Sequence, residues 1–508
     1  MSAHPPNIET PLILTLDIGT SSTRAMLFDA QGKVVPGYQA QQSYQATTVS
    51  VAGESGVEFD PEMLFTKIVE TVDELLAQAG ALATEIAAVA ADSLVTNILG
   101  IDENDQPITP LYTYAGTRNA ADAQALRDDL RSEGVAVVHD RTGCLVHAAY
   151  LPARIHWFKR TNPDVAKKVK RWVSIGELLY GRLFGEWEVS YSVASWTGLL
   201  NRHNLQWDAG WLETLALDES NLSSLLDIDQ AFIGLQPEWG TRWPSLKKAL
   251  WLPAIGDGAA ANIGSGCDLP NRIALTVGTT GAMRVVLSQP VARVPDGLWF
   301  YRVDAKRGLL GGATTEGGNL FAWFQQTLQL PEETILEEAL ALQQPTTHGL
   351  TILPFIAGER APGWRDDAQA SIIGYTLDTT PVEIVRAGLE SIAYRFALIH
   401  QRITPHLPPD RDQQIIASGG AILSSPAWLQ IMADVLGHPV QTLAEGEATS
   451  RGVALLALEV LGQINRPSDL PPTIGNTYLP EPSRYEVYQA ALEKQVVLYD
   501  QILGVDIA

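Results

Sequence analysis

The chain has very few cysteines, and nothing in it resembles a targeting or membrane signal. Its 508 residues include only Cys144 and Cys267, which fits a reducing compartment and excludes a disulfide framework. Neither cysteine has a second one at CxxC spacing. The N-terminus lacks the basic and apolar regions of a signal peptide, and no apolar run is long enough to span a bilayer. We therefore expect a cytoplasmic protein with no membrane partner.

Basic residues are also scarce. Lys and Arg number 35 against 58 Asp and Glu, which gives a formal net charge of −23. A surface this acidic argues against nucleic acid as a partner, but a cleft can still bind an anionic small molecule because local charge can differ from the total. The length exceeds what one core usually serves, so we expect two domains. The oligomeric state stays open, a homodimer included.

Two nucleotide-binding signatures are absent. No G-x-x-x-x-G-K-[ST] segment occurs, which argues against a P-loop kinase, and no H-R-D or D-F-G set of a protein kinase is present. Apolar strands instead alternate with amphipathic helices, the pattern of an α/β fold. A helix is predicted from Pro61, with Asp60 as N-cap, to a stop at Gly80. Strands are predicted from Glu85 and before Gly420.

The stretch LTLDIGTSSTRAMLFD at residues 14–29 predicts a β-hairpin with a tight, hydroxyl-lined loop. Asp17 ends the first strand, and Gly19 with Thr20, Ser21 and Ser22 forms the loop. One interpretation is a polar turn, because turns favour these residues. The other is a phosphate cradle of N–H groups and hydroxyls, in which Asp17 holds the cation that must separate a carboxylate from phosphate. That second interpretation implies Mg²⁺.

An internal repeat favours the phosphate cradle. Residues 273–287 read IALTVGTTGAMRVVL, so that Gly278 and Thr279 stand opposite Gly19 and Thr20. The second copy lacks the acid, because Thr276 replaces Asp17. Two such hairpins in two halves suggest two related domains that face one ligand, and a nucleoside triphosphate would explain both loops.

The segment GDGAAANIGSG at residues 256–266 offers a general base. One interpretation is a glycine-rich turn before a small-residue helix. The other places the Asp257 carboxylate at a helix N-terminus, where it accepts the proton of a sugar hydroxyl during phosphoryl transfer. The motif alone does not decide between them.

In order along the chain, these pieces resemble the FGGY carbohydrate kinases of the actin/Hsp70/hexokinase-like superfamily. The matching segments are DIGTSSTRAMLFD, PLYTYAGTRNAADA, VSIGELLYGRLFG, SVASWTGLL, GDGAAANIG, VGTTGAMR, GGATTEGGNLFAW, LPFIAGERAPGW, ASGGAILSSPAWLQIMADVLG and EATSRGVALLA. The resemblance covers nearly the whole chain. It implies two ribonuclease-H-like domains with a cleft between them, with residues 1–254 carrying the sugar site and the first phosphate loop, and residues 255–508 carrying Asp257 and the ATP site.

The resemblance also implies roles for individual residues. Asp257 is the base, and Asp17 binds Mg²⁺. ATP phosphates contact Thr20, Ser21, Ser22, Gly278, Thr279, Thr280 and Gly281, and the adenosine borders Gly419, Gly420 and Ser424. Arg24 faces either phosphate or solvent. Trp364 and Trp428 are predicted to be core aromatics, and Glu359 and Arg360 to form an internal pair.

The sugar site departs from the family pattern. Thr96 stands where many members have histidine, Gly116 replaces an aspartate, and Gly176 replaces a common lysine. The predicted sugar-binding residues are Thr96, Asn97, Tyr114, Arg118 and Asp257, with His147 and Arg154 as further candidates. Arg118 would bind a carboxylate in a bidentate manner, or it forms a structural ion pair.

The GERAP segment followed by tryptophan, together with TGCLVHAAYLPARIHWF, most resembles gluconate kinases. We therefore expect ATP-dependent phosphorylation of D-gluconate, with a pentulose such as xylulose or ribulose as the alternative. Two hypotheses from other classes are a sugar-responsive binding protein without turnover and an actin- or Hsp70-like ATPase. The presence of both Asp17 and Asp257 argues against the binding protein, and the GERAPGW segment argues against the ATPase.

Overall fold

The structure is a computed structural model that describes residues 8–51, 54–116, 118–130, 134–409 and 411–504. It confirms the mixed α/β prediction. Two sheets, one in each half of the chain, carry the two predicted hairpins, and helices pack against them. None of the helices in these ranges is long and apolar enough to cross a membrane.

In the first half, the strands are β1 (Leu12–Ile18), β2 (Ser22–Phe28), β3 (Val34–Ser43), β4 (Thr47–Val51), β5 (Glu54–Phe59), β6 (Ile86–Ser93), β7 (Leu99–Ile101), β8 (Leu111–Gly116), β9 (Arg171–Val173), β10 (Glu188–Ser190), β11 (Leu200–Asn201), β12 (Gln206–Trp207), β13 (Ser224–Leu226) and β14 (Leu250–Gly256). The helices are α1 (Pro61–Ala79), α2 (Ala120–Asp129), α3 (Val135–Thr142), α4 (Leu151–Thr161), α5 (Pro163–Ala166), α6 (Ile175–Phe184), α7 (Tyr191–Trp196), α8 (Ala209–Thr214), α9 (Pro237–Arg242) and α10 (Asp257–Gly264).

In the second half, the strands are β15 (Arg272–Val277), β16 (Gly281–Leu287), β17 (Trp299–Arg302), β18 (Gly308–Thr314), β19 (Thr351–Leu353), β20 (Ser371–Ile373), β21 (Gln414–Ser418), β22 (Val440–Leu443) and β23 (Ile474–Tyr478). The helices are α11 (Gly318–Thr327), α12 (Glu333–Leu342), α13 (Pro381–Ile403), α14 (Gly420–Leu423), α15 (Pro426–Leu436), α16 (Ala448–Val460) and α17 (Pro482–Leu503).

The first sheet has the strand order β14-β6-β1-β2-β3. β1 pairs with β2 in antiparallel fashion, which confirms the predicted hairpin, and with β6 in parallel fashion. The predicted helix also forms: Asp60 caps α1 through a hydrogen bond from the Glu62 N–H, and the helix ends at Gly80. Because β1, β6 and β14 are parallel, their carboxyl ends meet at one edge of the sheet, where open α/β sheets bind ligands.

The second sheet repeats this arrangement in the order β17-β18-β16-β15-β21-β22-β23. β15 pairs antiparallel with β16 and parallel with β21, as β1 does with β2 and β6. The internal repeat in the sequence is therefore a repeat in structure. Near the C-terminus, α17 packs on the core and buries Tyr488, Leu492 and Tyr499.

The two halves meet where α10 and α16 pack against each other. A Cβ at Gly264 would lie 1.7 Å from the Ala448 carbonyl oxygen, and one at Gly452 would lie 1.9 Å from that of Ala260. Only glycine permits this approach of two helix backbones. A hydrophobic cluster joins both helices to β1, β2 and β6, so α16 from the second half covers a face of the first sheet. The predicted domain boundary at residues 254/255 stays a prediction; β14 belongs to the first sheet up to Gly256.

Candidate active site

Asp257 lies where β14 ends and α10 begins, at the helix N-terminus that the sequence predicted. Its Oδ1 accepts a 2.7 Å hydrogen bond from the Gly258 N–H. Burial raises the pKa of the Asp257 carboxyl to about 6; the Gly258 N–H and the Arg284 charge act downward, and the Asp17 charge acts upward. A carboxyl with this pKa is ionised at neutral pH yet remains an effective proton acceptor.

A cavity of about 290 Å³ opens beside Asp257. Both halves of the chain line it, so it is the cleft between the two sheets. The lining residues are Val95, Thr96, Tyr114, Ala149, Tyr150, Trp196, Asp257, Gly258, Ala261, Thr276, Thr280, Gly281, Ala282, Arg284, Trp299, Tyr301, Ala313, Arg360, Trp364 and Thr449. Ligand pockets usually measure roughly 300–1,000 Å³, so this volume suits a sugar-sized molecule.

Stacked aromatic side chains form one wall of the cavity. The ring centroids of Trp196 and Tyr301 lie 3.7 Å apart, and those of Trp299 and Tyr301 lie 4.3 Å apart. The hydroxyls of Tyr150 and Tyr301 hydrogen bond at 2.6 Å. Burial raises the pKa of both phenols well above the usual value. The wall is therefore rigid and uncharged.

Two arginines face the same cavity. Arg284, on β16, donates a 2.7 Å hydrogen bond to the Gly258 carbonyl oxygen and so holds the start of α10. Arg360 donates a 2.8 Å hydrogen bond to the Thr314 carbonyl oxygen. Together with Asp257 they are the charged side chains among the lining residues, which gives the cavity a net positive charge in a chain that is strongly acidic overall.

The first hairpin closes with a hydrogen bond of 3.0 Å from the Gly19 N–H to the Ser22 carbonyl oxygen. Tyr44 donates to the Gly19 carbonyl oxygen at 2.6 Å and fixes the loop. Thr20 and Ser21 are exposed at its tip, where a phosphate can reach them. Asp17 lies at the base of the loop in the row of strand partners that includes Asp92 and Arg24.

The second hairpin closes with a 3.0 Å hydrogen bond from the Gly278 N–H to the Thr280 carbonyl oxygen. The N–H groups of Gly318 and Asn319 donate to the carbonyl oxygens of Gly278 and Thr279 at 2.7 and 3.0 Å. These bonds attach the loop to the start of α11. Thr279 and Thr280 are exposed at the tip, as Thr20 and Ser21 are in the first hairpin.

The predicted adenosine residues follow β21, next to the second hairpin. Gly419 has a φ of +97°, and a Cβ there would lie 2.5 Å from the Val277 carbonyl oxygen, so both conformation and space require glycine. Gly420 and Ser424 are exposed on and after α14. All three lie outside the cavity that contains Asp257, which leaves their nucleotide role a prediction.

The predicted sugar residues divide into two groups. Thr96 and Tyr114 line the cavity with Asp257. Asn97 does not: it is buried, its amide donates to the Leu94 carbonyl oxygen, and its Oδ1 accepts from the Ile175 N–H at 2.9 Å. Asn97 therefore positions α6 relative to the loop after β6.

Arg118 is also absent from the cavity lining. It pairs with Glu58 at 2.6 Å, and its guanidinium lies over the ring of Trp157 at 5.0 Å. This is the structural ion pair that the sequence left open as an alternative. Its neighbour in sequence, Thr117, lies outside the described residues.

Several secondary predictions need correction. Trp364 lines the cavity instead of lying wholly in the core, whereas Trp428 is a core residue as predicted. Glu359 does not pair with Arg360; it accepts hydrogen bonds from Arg395 and Tyr499, because α13 and α17 bring these side chains to it.

Three further side chains make contacts inside the protein. His147 Nε2 contacts an Asp366 carboxylate oxygen at 2.9 Å, and Arg154 donates to the Thr96 carbonyl oxygen at 2.7 Å. Arg24 pairs with Glu447 at the start of α16, so it links the first hairpin to the second half of the chain.

No sequence pattern indicated Asp92, Arg284 or the aromatic wall. Asp92 is the next-to-last residue of β6, as Asp17 is of β1, and acids near the carboxyl ends of parallel strands signal a shared site. Arg284 is the arginine of VGTTGAMR, and Trp299 and Tyr301 alternate along one strand. Their convergence on one cavity required the tertiary structure.

Asp17 and Asp92 fit a divalent cation. The two carboxyl groups lie within hydrogen-bonding reach of each other, and burial together with the other carboxyl raises the pKa of Asp92 well above its usual value. Burial also raises the pKa of Asp17. Carboxylate oxygens are donors that Mg²⁺ prefers, so these residues fit the predicted cation.

Comparisons with known proteins agree with this geometry. Residues 12–264 match the N-terminal domain of the FGGY family of carbohydrate kinases, and residues 273–459 match its C-terminal domain. The chain is 28% identical to a gluconokinase of Bacillus subtilis over 480 residues, covering 92% of this chain and 91% of that protein. It is also 28% identical to a glycerol kinase of Stenotrophomonas maltophilia, covering 88% and 89%.

Solved structures agree on the fold. A gluconate kinase from Lactobacillus acidophilus superposes with a TM-score of 0.86 at 25% identity, covering 97% of this chain and 98% of that one. A xylulose kinase from the same organism superposes with a TM-score of 0.85 at 24% identity, with the same coverage. The fold is thus the two-domain, actin/hexokinase-like architecture that the sequence predicted.

Proposed function

The chain belongs to the FGGY family of carbohydrate kinases and is a sugar kinase, and we propose that it phosphorylates D-gluconate to 6-phosphogluconate. A kinase of this family takes ATP and a sugar as substrates. Gluconokinases and glycerol kinases are similar to this chain to the same degree by identity, so the choice of acceptor rests on the cavity.

The observation that carries the proposal is the charge of the cavity. Asp257 faces a lining that contributes two guanidinium groups, Arg284 and Arg360. Arg284 already contacts the start of α10, whereas Arg360 uses one N–H on the Thr314 carbonyl oxygen and keeps other donors for a ligand. A guanidinium binds a carboxylate strongly, so Arg360 is the proposed partner of the gluconate carboxylate. The aromatic wall suits the carbon face of the sugar.

In the proposed mechanism, Asp257 accepts the proton of the acceptor hydroxyl as its oxygen attacks the γ-phosphorus of ATP. The bond from that phosphorus to the β–γ bridging oxygen breaks, and ADP leaves. A pKa of about 6 keeps Asp257 ionised at neutral pH, while the Gly258 N–H holds its carboxylate in place and Arg284 holds the Gly258 carbonyl group. A positioned base of this kind contributes roughly 10²–10⁴-fold to the rate.

The two hairpins bind the transferring phosphoryl group from opposite sides. Thr20, Ser21 and Ser22 act from the first half, and Gly278, Thr279, Thr280 and Gly281 act from the second, while Gly419, Gly420 and Ser424 border the adenosine. Asp17 would hold Mg²⁺, which supplies positive charge to the phosphates when bound. The cleft between residues 1–254 and 255–508 closes to exclude water, which would otherwise compete as acceptor.

A coupled ADP-release assay with Mg-ATP tests the proposal against D-gluconate, D-xylulose, D-ribulose, L-ribulose, glycerol, erythritol and no sugar. We expect turnover with gluconate, lost in Asp257→Ala and kept in the exposed-acid control Asp164→Ala. Arg360→Gln should raise KM for gluconate at least tenfold and change KM for any neutral sugar much less.

Turnover with a pentulose but not with gluconate would show that the acceptor is a pentulose. It would not contradict the proposed mechanism. Absence of sugar-dependent turnover, with calorimetric binding of a panel member, would instead support a sugar-responsive binding protein. ATP hydrolysis independent of any sugar would contradict the proposed reaction.

A further inference from the structure

Asp92 is a fully buried acid that the mechanism above does not use. It lies at the end of β6 and is the strand partner of Asp17 in β1. Its side chain is 0% exposed, and in the described ranges no donor group of another residue hydrogen bonds to either of its carboxylate oxygens; the group within hydrogen-bonding reach is the carboxyl of Asp17. A buried carboxylate whose neighbour is a second acid is costly unless a proton or a cation lies between them.

Neither strand beside β6 places a basic residue opposite Asp92, and the charge of Arg24, one strand further on, acts on Asp17. Asp92 has Ile255 of β14 on one side and Asp17 on the other. The next residue in this row, Arg24, forms its ion pair with Glu447 of the second half. Asp257 adds a third negative charge nearby. Acidic side chains, Asp17, Asp92 and Asp257, therefore lie close together near the carboxyl ends of the parallel strands.

Two adjacent buried carboxyl groups have two ways to coexist. They can share one proton, or they can hold a cation between them. The second hairpin shows what happens without acids: Thr276 and Ser418, the equivalent strand partners, simply hydrogen bond at 3.0 Å. A structural pair at this position can thus be made from two hydroxyls, and carboxylates occur only in the half that carries the proposed Mg²⁺ residue.

We propose that Asp92 is a second carboxylate of the divalent-cation site, beside Asp17. The inference rests on the proposed function, because that function places the cation at Asp17. Among the described residues, no three His, Cys, Asp or Glu side chains are grouped to hold a metal. Mg²⁺ needs no such group, since it is typically bound by one or two carboxylates and completes its shell with phosphate oxygens and water.

Mn²⁺ binding in the absence of nucleotide and sugar tests the proposal. Calorimetric titration would compare the wild type with Asp92→Asn, Asp92→Ser and the control Asp164→Asn. Asp92→Asn keeps the shape of the side chain. Asp92→Ser introduces the residue type that Ser418 has at the equivalent position of the second sheet. We expect one Mn²⁺ site in the wild type and in the control, and binding weaker by about tenfold or more in both Asp92 variants.

Thermal unfolding with and without Mn²⁺ gives a second readout. We expect Mn²⁺ to raise the Tm of the wild type and of Asp164→Asn more than that of either Asp92 variant. Equal Mn²⁺ affinity in the wild type and Asp92→Asn, or no binding by the wild type, would overturn the proposal and leave Asp92 as a protonated partner of Asp17. The sugar panel tests the proposed function separately, because Mn²⁺ binding does not depend on which sugar is the acceptor.

Discussion

The two hairpins, β1–β2 and β15–β16, occupy equivalent places in their sheets but carry different side chains. In the first, the row at the base of the loop reads Asp92, Asp17 and Arg24; in the second, it reads Ser418, Thr276 and Ala282. The strand pairing is alike, and a glycine N–H closes each loop, onto the residue three positions later in the first hairpin and two positions later in the second; this shared backbone framework is the proposed support for phosphate. The charges differ, and the proposed cation is assigned to the first hairpin because the equivalent row of the second hairpin carries no acid.

The hairpins also differ in what holds them. Tyr44 and the Arg24–Glu447 ion pair fix the first, and the ion pair crosses to the other half. The start of α11 fixes the second through two backbone hydrogen bonds within its own half. We infer that domain movement changes the surroundings of the first hairpin more than those of the second. Variants that make one hairpin resemble the other test this comparison.

The largest effect is expected from Asp17→Thr, which gives the first hairpin the residue of the second. Loss of the proposed metal carboxylate should lower kcat about a thousandfold in the ADP-release assay. Thr276→Ser, which keeps the hydroxyl of the second hairpin, should change kcat by less than about threefold. Comparable losses in both variants would mean that the two hairpins share one role.

The next effect concerns pH, because Asp257, the proposed base, follows β14 of the first sheet and its cationic neighbour Arg284 lies on β16 of the second sheet. Asp257 must be ionised to accept a proton, and its pKa is about 6, so kcat/KM should fall about tenfold per pH unit below that value. Arg284→Met removes a charge that lowers the pKa of Asp257 and should move the midpoint upward. A midpoint near pH 4 in the wild type would contradict the assignment of Asp257.

A smaller effect is expected at the support of the second hairpin. In Gly317→Ala, the new Cβ would lie 2.8 Å from the Thr280 carbonyl carbon and about as close to the Gly278 carbonyl oxygen. The displaced loop should raise KM for ATP several-fold and lower the free energy of unfolding by about 1–3 kcal/mol, measured by denaturant titration. Gly446→Ala, where a Cβ meets open space, is the control. Unchanged KM for ATP would separate this loop from nucleotide binding.

The smallest effect is expected from the ion pair that crosses the cleft. Arg24 and Glu447 are both partly exposed, and such pairs contribute about 0–1 kcal/mol. A double-mutant cycle with Arg24→Ala and Glu447→Ala should give a coupling energy in that range and a change in KM for ATP of less than about fivefold. A coupling energy above about 2 kcal/mol would mean that this ion pair stabilises the contact between the two halves substantially.

Local patterns explain why much of the fold was predictable. The hairpin at Asp17, the helix from Asp60 to Gly80 and the helix that starts at Asp257 each depend on neighbours within a few residues. For the predicted sugar-binding residues, the sequence did not show which side chains face the cavity, because consecutive loop residues can face opposite ways. Thr96 lines the cavity, whereas the next residue, Asn97, turns into the backbone of α6.

The sequence by itself determined the family, the two hydroxyl-lined hairpins, the single acid that distinguishes them, and the position of Asp257 at a helix N-terminus. Each of these features depends on residues that are close together in sequence, because strand periodicity, turn preferences and helix capping are local effects. Only the tertiary structure decided that Asp92 lies beside Asp17, that Arg284 and Arg360 share a cavity with Asp257, and that Arg118 pairs with Glu58. Those neighbours come from distant segments, and their contacts follow from strand register and from the packing of α16 on the first sheet, which no local pattern encodes.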